Sequence, residues 1–397
     1  MVFIQIHQVH LFCGHIVEYW FSMRIGRGIN MKKILVGFIM DGKSGGIDKY
    51  LLNFLEKVSG EDVRLDFLTN EIDPELEKKL KTYHSRIFAI QNLKHPRTQY
   101  RQVKAIIKKG NYDAVYLNIS TAIDCIAAIA AKHMGVKRIM LHSHSSGNDC
   151  ESTLKRNVFD FIHKCCRLFL YRYGTEFYGC SVKAGEWLFP KKIVDSDKFQ
   201  VIHNAVDREK FEYSVEKRKK IREELGIKNQ FVLGHVGNFC YQKNHYFLIE
   251  IFEEIHKRDP EAVLLLAGDG VRFEQVRQIV SQKGMEESVK LLGRRSDADC
   301  LYQGMDAFIL PSNFEGLPIA GIEAQSAGLP CFMSDTITRE SKITKNCYFI
   351  SLQSSVSDWA EEIIKRKQDR KPAEYLKNAD QYDLSHQIEE MKRLVNL

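Results

Sequence analysis

Short apolar runs alternate with longer amphipathic stretches along nearly the whole chain, and no other feature restricts the fold as much. Strand after helix in that order is the pattern of parallel α/β sheets. In the first half the runs predict strands at Ile34–Met40, Val63–Leu68, Ile87–Ile90, Ala114–Leu117, Arg138–Leu141, Phe177–Tyr178 and Phe199–Ile202. A second series follows at Val232–Val236, Ala262–Ala267, Val289–Leu292, Ala307–Leu310, Cys331–Met333 and Tyr348–Ile350. With 397 residues the chain divides into two domains, each with its own core. The boundary is expected near Asn204–Phe211, before the charged stretch Glu216 to Glu224, which reads as a helix of the second domain. That gives one domain over 31–205, a second over 206–371 and a polar, helical final segment over 372–397. Two doubly wound domains facing each other make a cleft, and ligands bind at the carboxyl ends of such strands.

Residues 1–30 look foreign to the rest, because Met31-Lys32-Lys33 opens the first clear strand as a protein start does. The stretch lacks a cleavage site and is not a signal peptide. It reads as an extension from an upstream start or from expression, with a membrane-associating segment as the alternative, since Trp20, Phe21 and Arg24 would suit an interface. No apolar run reaches the 18 or more residues of a span. Ten scattered Cys form no C-x-x-C pair, which fits reduced thiols and a cytoplasmic location. Charge is uneven: residues 31–200 carry 28 Lys and Arg against 19 Asp and Glu, and residues 201–397 carry 28 against 31. A basic first half suits an anionic membrane surface or a phosphorylated acceptor. Nucleic acid is disfavoured, since no helix-turn-helix, zinc or ribonucleoprotein pattern is present.

The densest chemistry lies in Phe314-Glu315-Gly316-Leu317-Pro318-Ile319-Ala320-Gly321-Ile322-Glu323. Gly and Pro mark a loop turning into a helix, with Glu315 in the loop and Glu323 on the helix. The backbone N–H groups of Gly316 and Leu317 are expected to stand exposed at the positive helix end, where an anion such as a diphosphate is favoured. A capped surface helix with two solvated acids is the plainer reading of this segment alone. Upstream, Asp306 to Ser312 reads as a buried strand running into that loop, and Gly328-Leu329-Pro330 ends the helix. Pro311-Ser312, Glu315-Gly316-Leu317-Pro318, Glu323-Ala324 and Gly328-Leu329-Pro330 together resemble the nucleotide-sugar motif of the family 4 glycosyltransferases, retaining enzymes of GT-B fold. His203-Asn204-Ala205-Val206-Asp207 also resembles the family's interdomain junction, with Ala205 where Gly is usual.

The resemblance implies that Glu315 meets donor sugar hydroxyls, that Glu323 holds the nucleotide ribose, and that the final helix returns to the first domain. Gly234 to His245 forms a second site, a strand, a loop and then a helix that Asn244 is placed to cap. There the resemblance makes Lys243 one of two cations neutralising the departing diphosphate. Asn238 stands where the family has Arg, so one cation is missing. A donor-facing His is implied after the strand Arg138–Leu141, and His144 is preferred over His142. Gly45 and Gly46 mark a turn into a helix, where glycines let backbone approach a phosphate or sugar. Gly270 and Arg294 are expected at the nucleobase.

Asp195-Ser-Asp197 and Asp297-Ala-Asp299 match the Asp-x-Asp of metal-dependent transferases, but neither ends a long apolar strand. Asp297 is expected to cap a helix, and no metal or other cofactor is expected. The basic and aromatic stretch Lys155 to Arg172 suits either a membrane-facing surface or a helix with inward aromatics. The implied reaction moves a sugar, most simply from a UDP-sugar, to a saccharide acceptor, lipid-linked, in capsule or exopolysaccharide assembly. The enzyme would work in the cytoplasm, with peripheral contact at the inner membrane surface. A sugar-nucleotide epimerase of the same fold is the alternative, as is a binding subunit that has lost catalysis.

Overall fold

The apolar runs of the first half pair into one sheet and those of the second half into another, with every pairing parallel. The computed structural model describes residues 31–42, 45–60, 62–367 and 371–395, so the expectation for residues 1–30 lies outside the described residues. The first sheet comprises β1 (Lys32–Gly37), β2 (Val63–Thr69), β3 (Ile87–Ala89), β4 (Ala114–Ile119), β5 (Arg138–Ser143), β6 (Glu176–Gly179) and β7 (Phe199–Val201). Their spatial order is β3-β2-β1-β4-β5-β6-β7. The second comprises β8 (Val232–Val236), β9 (Val263–Ala267), β10 (Val289–Gly293), β11 (Ala307–Leu310), β12 (Cys331–Ser334) and β13 (Cys347–Ile350), ordered β10-β9-β8-β11-β12-β13.

Burial explains why these runs are strands. All six residues of β4 and all five of β9 are buried, as helices on both faces of a parallel sheet require. The covering helices contribute one apolar stripe each. Helix His245–Arg258 buries Leu248, Ile249, Ile251, Phe252 and Ile255, while Phe247 meets Trp359 of helix Val356–Lys365 edge-on at 5.9 Å. Ser355 and Asp358 start that second helix with a capping box. In each sheet the winding reverses direction, between β1 and β4 in one and between β8 and β11 in the other. A crevice opens at each reversal, and the two crevices face each other.

Two strands of chain join the domains. Val206 forms a parallel bridge with Asp383, and the Val206 N–H donates to the Tyr382 carbonyl at 3.1 Å. The Gln387 amide donates to the His203 carbonyl at 2.6 Å beside it. Helix Leu384–Val395 then packs on the first domain, burying Met391, Leu394 and Val395 among Tyr50, Phe54 and Leu65. Its last carbonyls accept from Arg138 at 2.6 Å and Lys32 at 3.2 Å. The expected helix from Pro372 onward is corrected to this shorter one. Thr344 and Tyr375 form an antiparallel bridge and only a 3₁₀ turn spans Ala379–Tyr382, so tertiary pairing claims the segment's backbone first. Among the described residues no helix is long and apolar enough to cross a membrane.

Candidate active site

Glu315 lies in the loop that follows β11, only 5% exposed. A buried carboxylate needs compensation, and three donors supply it. Lys243 Nζ and Ser312 Oγ donate to Oε1 at 2.6 and 2.8 Å, and Gln242 Nε2 donates to Oε2 at 2.8 Å. Lys243 and Gln242 come from the loop after β8, the neighbour of β11, so the crevice itself brings the motifs together. Asn313 fastens the two loops: its N–H donates to the Gln242 carbonyl at 2.8 Å and its amide to the Tyr241 carbonyl at 2.7 Å. The Lys243 stem crosses Gly237, where an added Cβ would sit 3.1 Å from Cε. Asn244 precedes the helix in the left-handed region, φ 56°, and makes no side-chain cap bond, which corrects the expected capping role. Asn238 is exposed on the same loop.

Glu323 lies on helix Ile319–Ser326 and is 6% exposed. Tyr302 Oη donates to it at 3.0 Å, and Lys49 forms an ion pair with it from the opposite domain. Burial first, and the Glu323 charge second, hold the Tyr302 phenol far above its ordinary range, so it stays a donor. Lys49 lies just past the first turn of helix Gly45–Val58, which begins at Gly45 and Gly46 themselves rather than after them. A Cβ on Gly46 would lie 3.1 Å from Ile319 Cδ1, so the starts of the two helices face each other. Asp48 shapes the approach, accepting from the N–H groups of Met40, Asp41 and Gly42 at 2.8 to 3.1 Å. Burial raises its carboxyl pKa, and those three bonds oppose the shift.

The two histidines separate in depth. His142 is fully buried in β5, its Nδ1 2.5 Å from the Tyr116 hydroxyl, which is 2.7 Å from that of Tyr50. His144 stands past the strand end, half-buried at the cleft, with its Nε2 2.8 Å from Asn118 Oδ1. The rings lie 4.0 Å apart. Burial drives His142 well below the usual imidazole range and His144 down to about 3, so both are neutral near pH 7. His142 Nε2 and His144 Nδ1 have no protein partner.

Gly316 and Leu317 are buried, not exposed as the sequence suggests. A Cβ on Gly316 would sit 2.3 Å from the His144 carbonyl, and the carbonyls of Gly316 and Leu317 accept from Ser181 at 2.6 Å and Asn204 at 2.9 Å. The first domain closes over this helix start, which a local reading of the motif does not contain. Gly270 (φ 152°) packs on the loop after β8, where a Cβ would meet the Phe239 carbonyl at 2.6 Å. Arg294 faces Asp41 of the other domain at 3.9 Å. Asp297 sits at a helix start, yet its carboxylate goes to Arg295 at 2.7 Å instead of capping. Asp195 pairs with Lys191 at 2.9 Å, and Asp299 lies 3.5 Å from Lys210. Among the described residues no cluster of three potential metal ligands exists.

Sequence reasoning missed Lys49, Tyr302, Gln242 and Asn118 as site residues. Gln242 adjoins Lys243 and was open to a local reading; the other three become neighbours only through folding. Also missed was the clasp at the cleft mouth. Glu151 accepts from Arg272 at 2.5 Å and from the Tyr241 N–H at 2.8 Å, while the Arg156 guanidinium lies 3.2 Å over the Tyr241 ring.

Two family models match. "Glycosyltransferase Family 4" covers residues 44–210 and "Glycosyl transferases group 1" covers 217–382. The glycosyltransferase EpsF of Bacillus subtilis is 29% identical, over 81% of this chain and 84% of its own. An Escherichia coli enzyme named UDP-Gal:alpha-D-GlcNAc-diphosphoundecaprenol alpha-1,3-galactosyltransferase is 32% identical, over 58% of this chain and 59% of its own. Among solved structures, Anabaena HepE in complex with UDP-glucose superposes with a TM-score of 0.72 at 19% identity, covering 92% of this chain and 99% of that one. Two models spanning both domains, and that shared architecture, place the chain among the family 4 glycosyltransferases, GT-B enzymes of the bacterial exopolysaccharide type.

Proposed function

We propose that this glycosyltransferase moves a sugar from a UDP-sugar to a lipid-linked saccharide, with retention and without a metal, during capsule or exopolysaccharide assembly at the cytoplasmic face of the membrane. The observation that carries the proposal is the caged Glu315, held by Lys243, Gln242 and Ser312 at the β8/β11 crevice, with the His144 backbone of the other domain packed against the neighbouring Gly316. In this reading Glu315 accepts from donor sugar hydroxyls, and Lys243 stabilises the charge growing on the leaving diphosphate. Glu323, with Tyr302 beside it, takes the ribose hydroxyls. His144, a neutral imidazole, is a hydrogen-bonding partner for the sugar. Backbone at Gly45, Gly46 and Gly316 borders the diphosphate, and Gly270 and Arg294 border the base. The donor and acceptor named for the Escherichia coli relative, and the UDP-glucose held by HepE, support the choice of substrates.

Purified protein incubated with a panel of UDP-sugars tests the proposal. UDP should appear only when a lipid-linked saccharide is added, and the new glycosidic bond should keep the donor's anomeric configuration by NMR. Activity should survive excess EDTA, because Asp195 and Asp297 are already committed to Lys191 and Arg295. An altered sugar nucleotide formed without acceptor would instead identify an epimerase.

A further inference from the structure

Helix Thr153–Leu170 carries an apolar stripe on the wrong side for the core. Leu154, Val158, Phe161 and Leu168 are 75%, 51%, 68% and 68% exposed, with exposed Cys165 in line. Spacings of four, three, four and three residues keep them on one face. The helix is anchored by its other face: His163 stacks on Trp187 at 3.9 Å, Leu170 is fully buried, and Arg167 donates to the Phe189 carbonyl. The stripe therefore points away from the protein over about 21 Å of helix. Lys155 and Lys164 lie on its two flanks, both exposed, and exposed Arg172 and Lys192 extend the basic border at its end.

We propose that this face docks on an anionic lipid surface, an inference that rests on the lipid-linked acceptor proposed above and gives it a route to the site. The chemistry fits lipid at both levels, since apolar side chains enter the acyl boundary while Lys and Arg meet phosphate headgroups. Position fits as well. Arg156, in the helix's first turn and on its anchored face, stacks on Tyr241 at the cleft mouth, so the start of the stripe lies about one helix width from the opening between the domains. A second copy of the chain suits the face poorly. The stripe has the seam spacing of a paired helix, but the positions bordering it carry Lys155 and Lys164 and no carboxylate. The helix's one acid, Asp160, is turned to Asn148 at 3.2 Å.

Vesicle flotation tests the proposal, with equal parts phosphatidylglycerol and phosphatidylcholine against phosphatidylcholine alone. The full chain should float with the anionic vesicles only, and less so as salt rises. Joint Phe161→Asp and Leu168→Asp should cut the bound fraction at least about tenfold, and Lys155→Glu or Lys164→Glu about fivefold each. All these positions are exposed, so melting midpoints should match the parent protein. UDP release with the lipid-linked acceptor dispersed in detergent, away from any vesicle, should stay within about twofold, which separates docking from the transfer reaction. Equal flotation of the Phe161→Asp/Leu168→Asp protein, or none by the parent, would overturn the proposal. So would a dimer in light scattering that those two substitutions dissolve, since the face would then belong to a second copy.

Discussion

Glu315 and Glu323 look alike in sequence, and their surroundings separate them. Glu323 has a phenol and a lysine from another domain; Glu315 has three donors from its own. Glu323→Ala should weaken UDP binding by about 1.5–3 kcal/mol in calorimetry, the size of a hydrogen bond to a charged group, while Glu315→Ala should mainly lower turnover. Lys243→Met should reduce kcat by roughly 10²–10³. It should also destabilise the fold by about 3–5 kcal/mol, because it strands a buried carboxylate. Adding Glu315→Gln should recover stability in denaturant melts and leave turnover low; recovery of both would show that the pair is only structural. The buried His235 predicts a pH effect. Its Nδ1 lies 2.9 Å from the Ile309 carbonyl, yet burial pulls it to about 3, against about 6.5 unfolded. Between those values the unfolded chain binds the extra proton, so this contribution is full above pH 6.5 and shrinks as pH falls toward 3. His235→Phe should flatten the decline in urea midpoint between about pH 7 and pH 5.5; an unchanged slope would remove His235 as a source.

At the scale of elements, what local pattern can encode was legible. Val232–Val236 and Ala307–Leu310 have the bounds that their apolar runs suggest, and the other strands differ by a few residues at their ends. Pro372 to Asp383 misled because it is polar and without period, and its course is set by the Thr344 and Val206 bridges. The capping roles of Asn244 and Asp297 failed for a related reason: cap-forming residues identify a helix start, but a left-handed backbone or a nearby Arg295 takes the side chain elsewhere. Gly268 shows a loop–loop contact that no propensity records. Its φ is 143°, and a Cβ there would lie 2.0 Å from the Gly237 carbonyl, in the loop that carries Lys243. Gly268→Ala should therefore lower both UDP affinity and turnover. Gly284→Ala is the control: its φ is 65° with nothing within 4 Å, so it should cost about 1 kcal/mol of stability and leave kinetics alone. Equal kinetic damage from both would mean that backbone strain, not the loop contact, is responsible.

At the scale of the whole molecule the sequence is silent on what matters most, how the domains meet. Lys49 and Glu323 are 274 positions apart, and Glu151 and Arg272 are 121 apart. Such partners share no periodicity, only a consequence of two sheets whose reversal points face each other. The two contacts should act differently on the reaction. Lys49 holds the carboxylate that the ribose hydroxyls are proposed to need, so nucleotide must compete with its ammonium. The Lys49 side chain is 45% exposed, and solvent limits such a pair to about 1 kcal/mol or less. Lys49→Ala should thus tighten UDP binding by up to about fivefold, while turnover falls because one tie across the cleft is lost. Glu151 lies at the cleft mouth, bonded to Arg272 and to the Tyr241 N–H, and touches neither Glu315 nor Glu323. Glu151→Ala should leave UDP affinity nearly unchanged and raise the radius of gyration in solution scattering, with turnover reduced in step. If Lys49→Ala instead weakened UDP binding, the lysine would be a ligand of the nucleotide and not its competitor. The positive charge missing at Asn238 would then be supplied from the opposite domain.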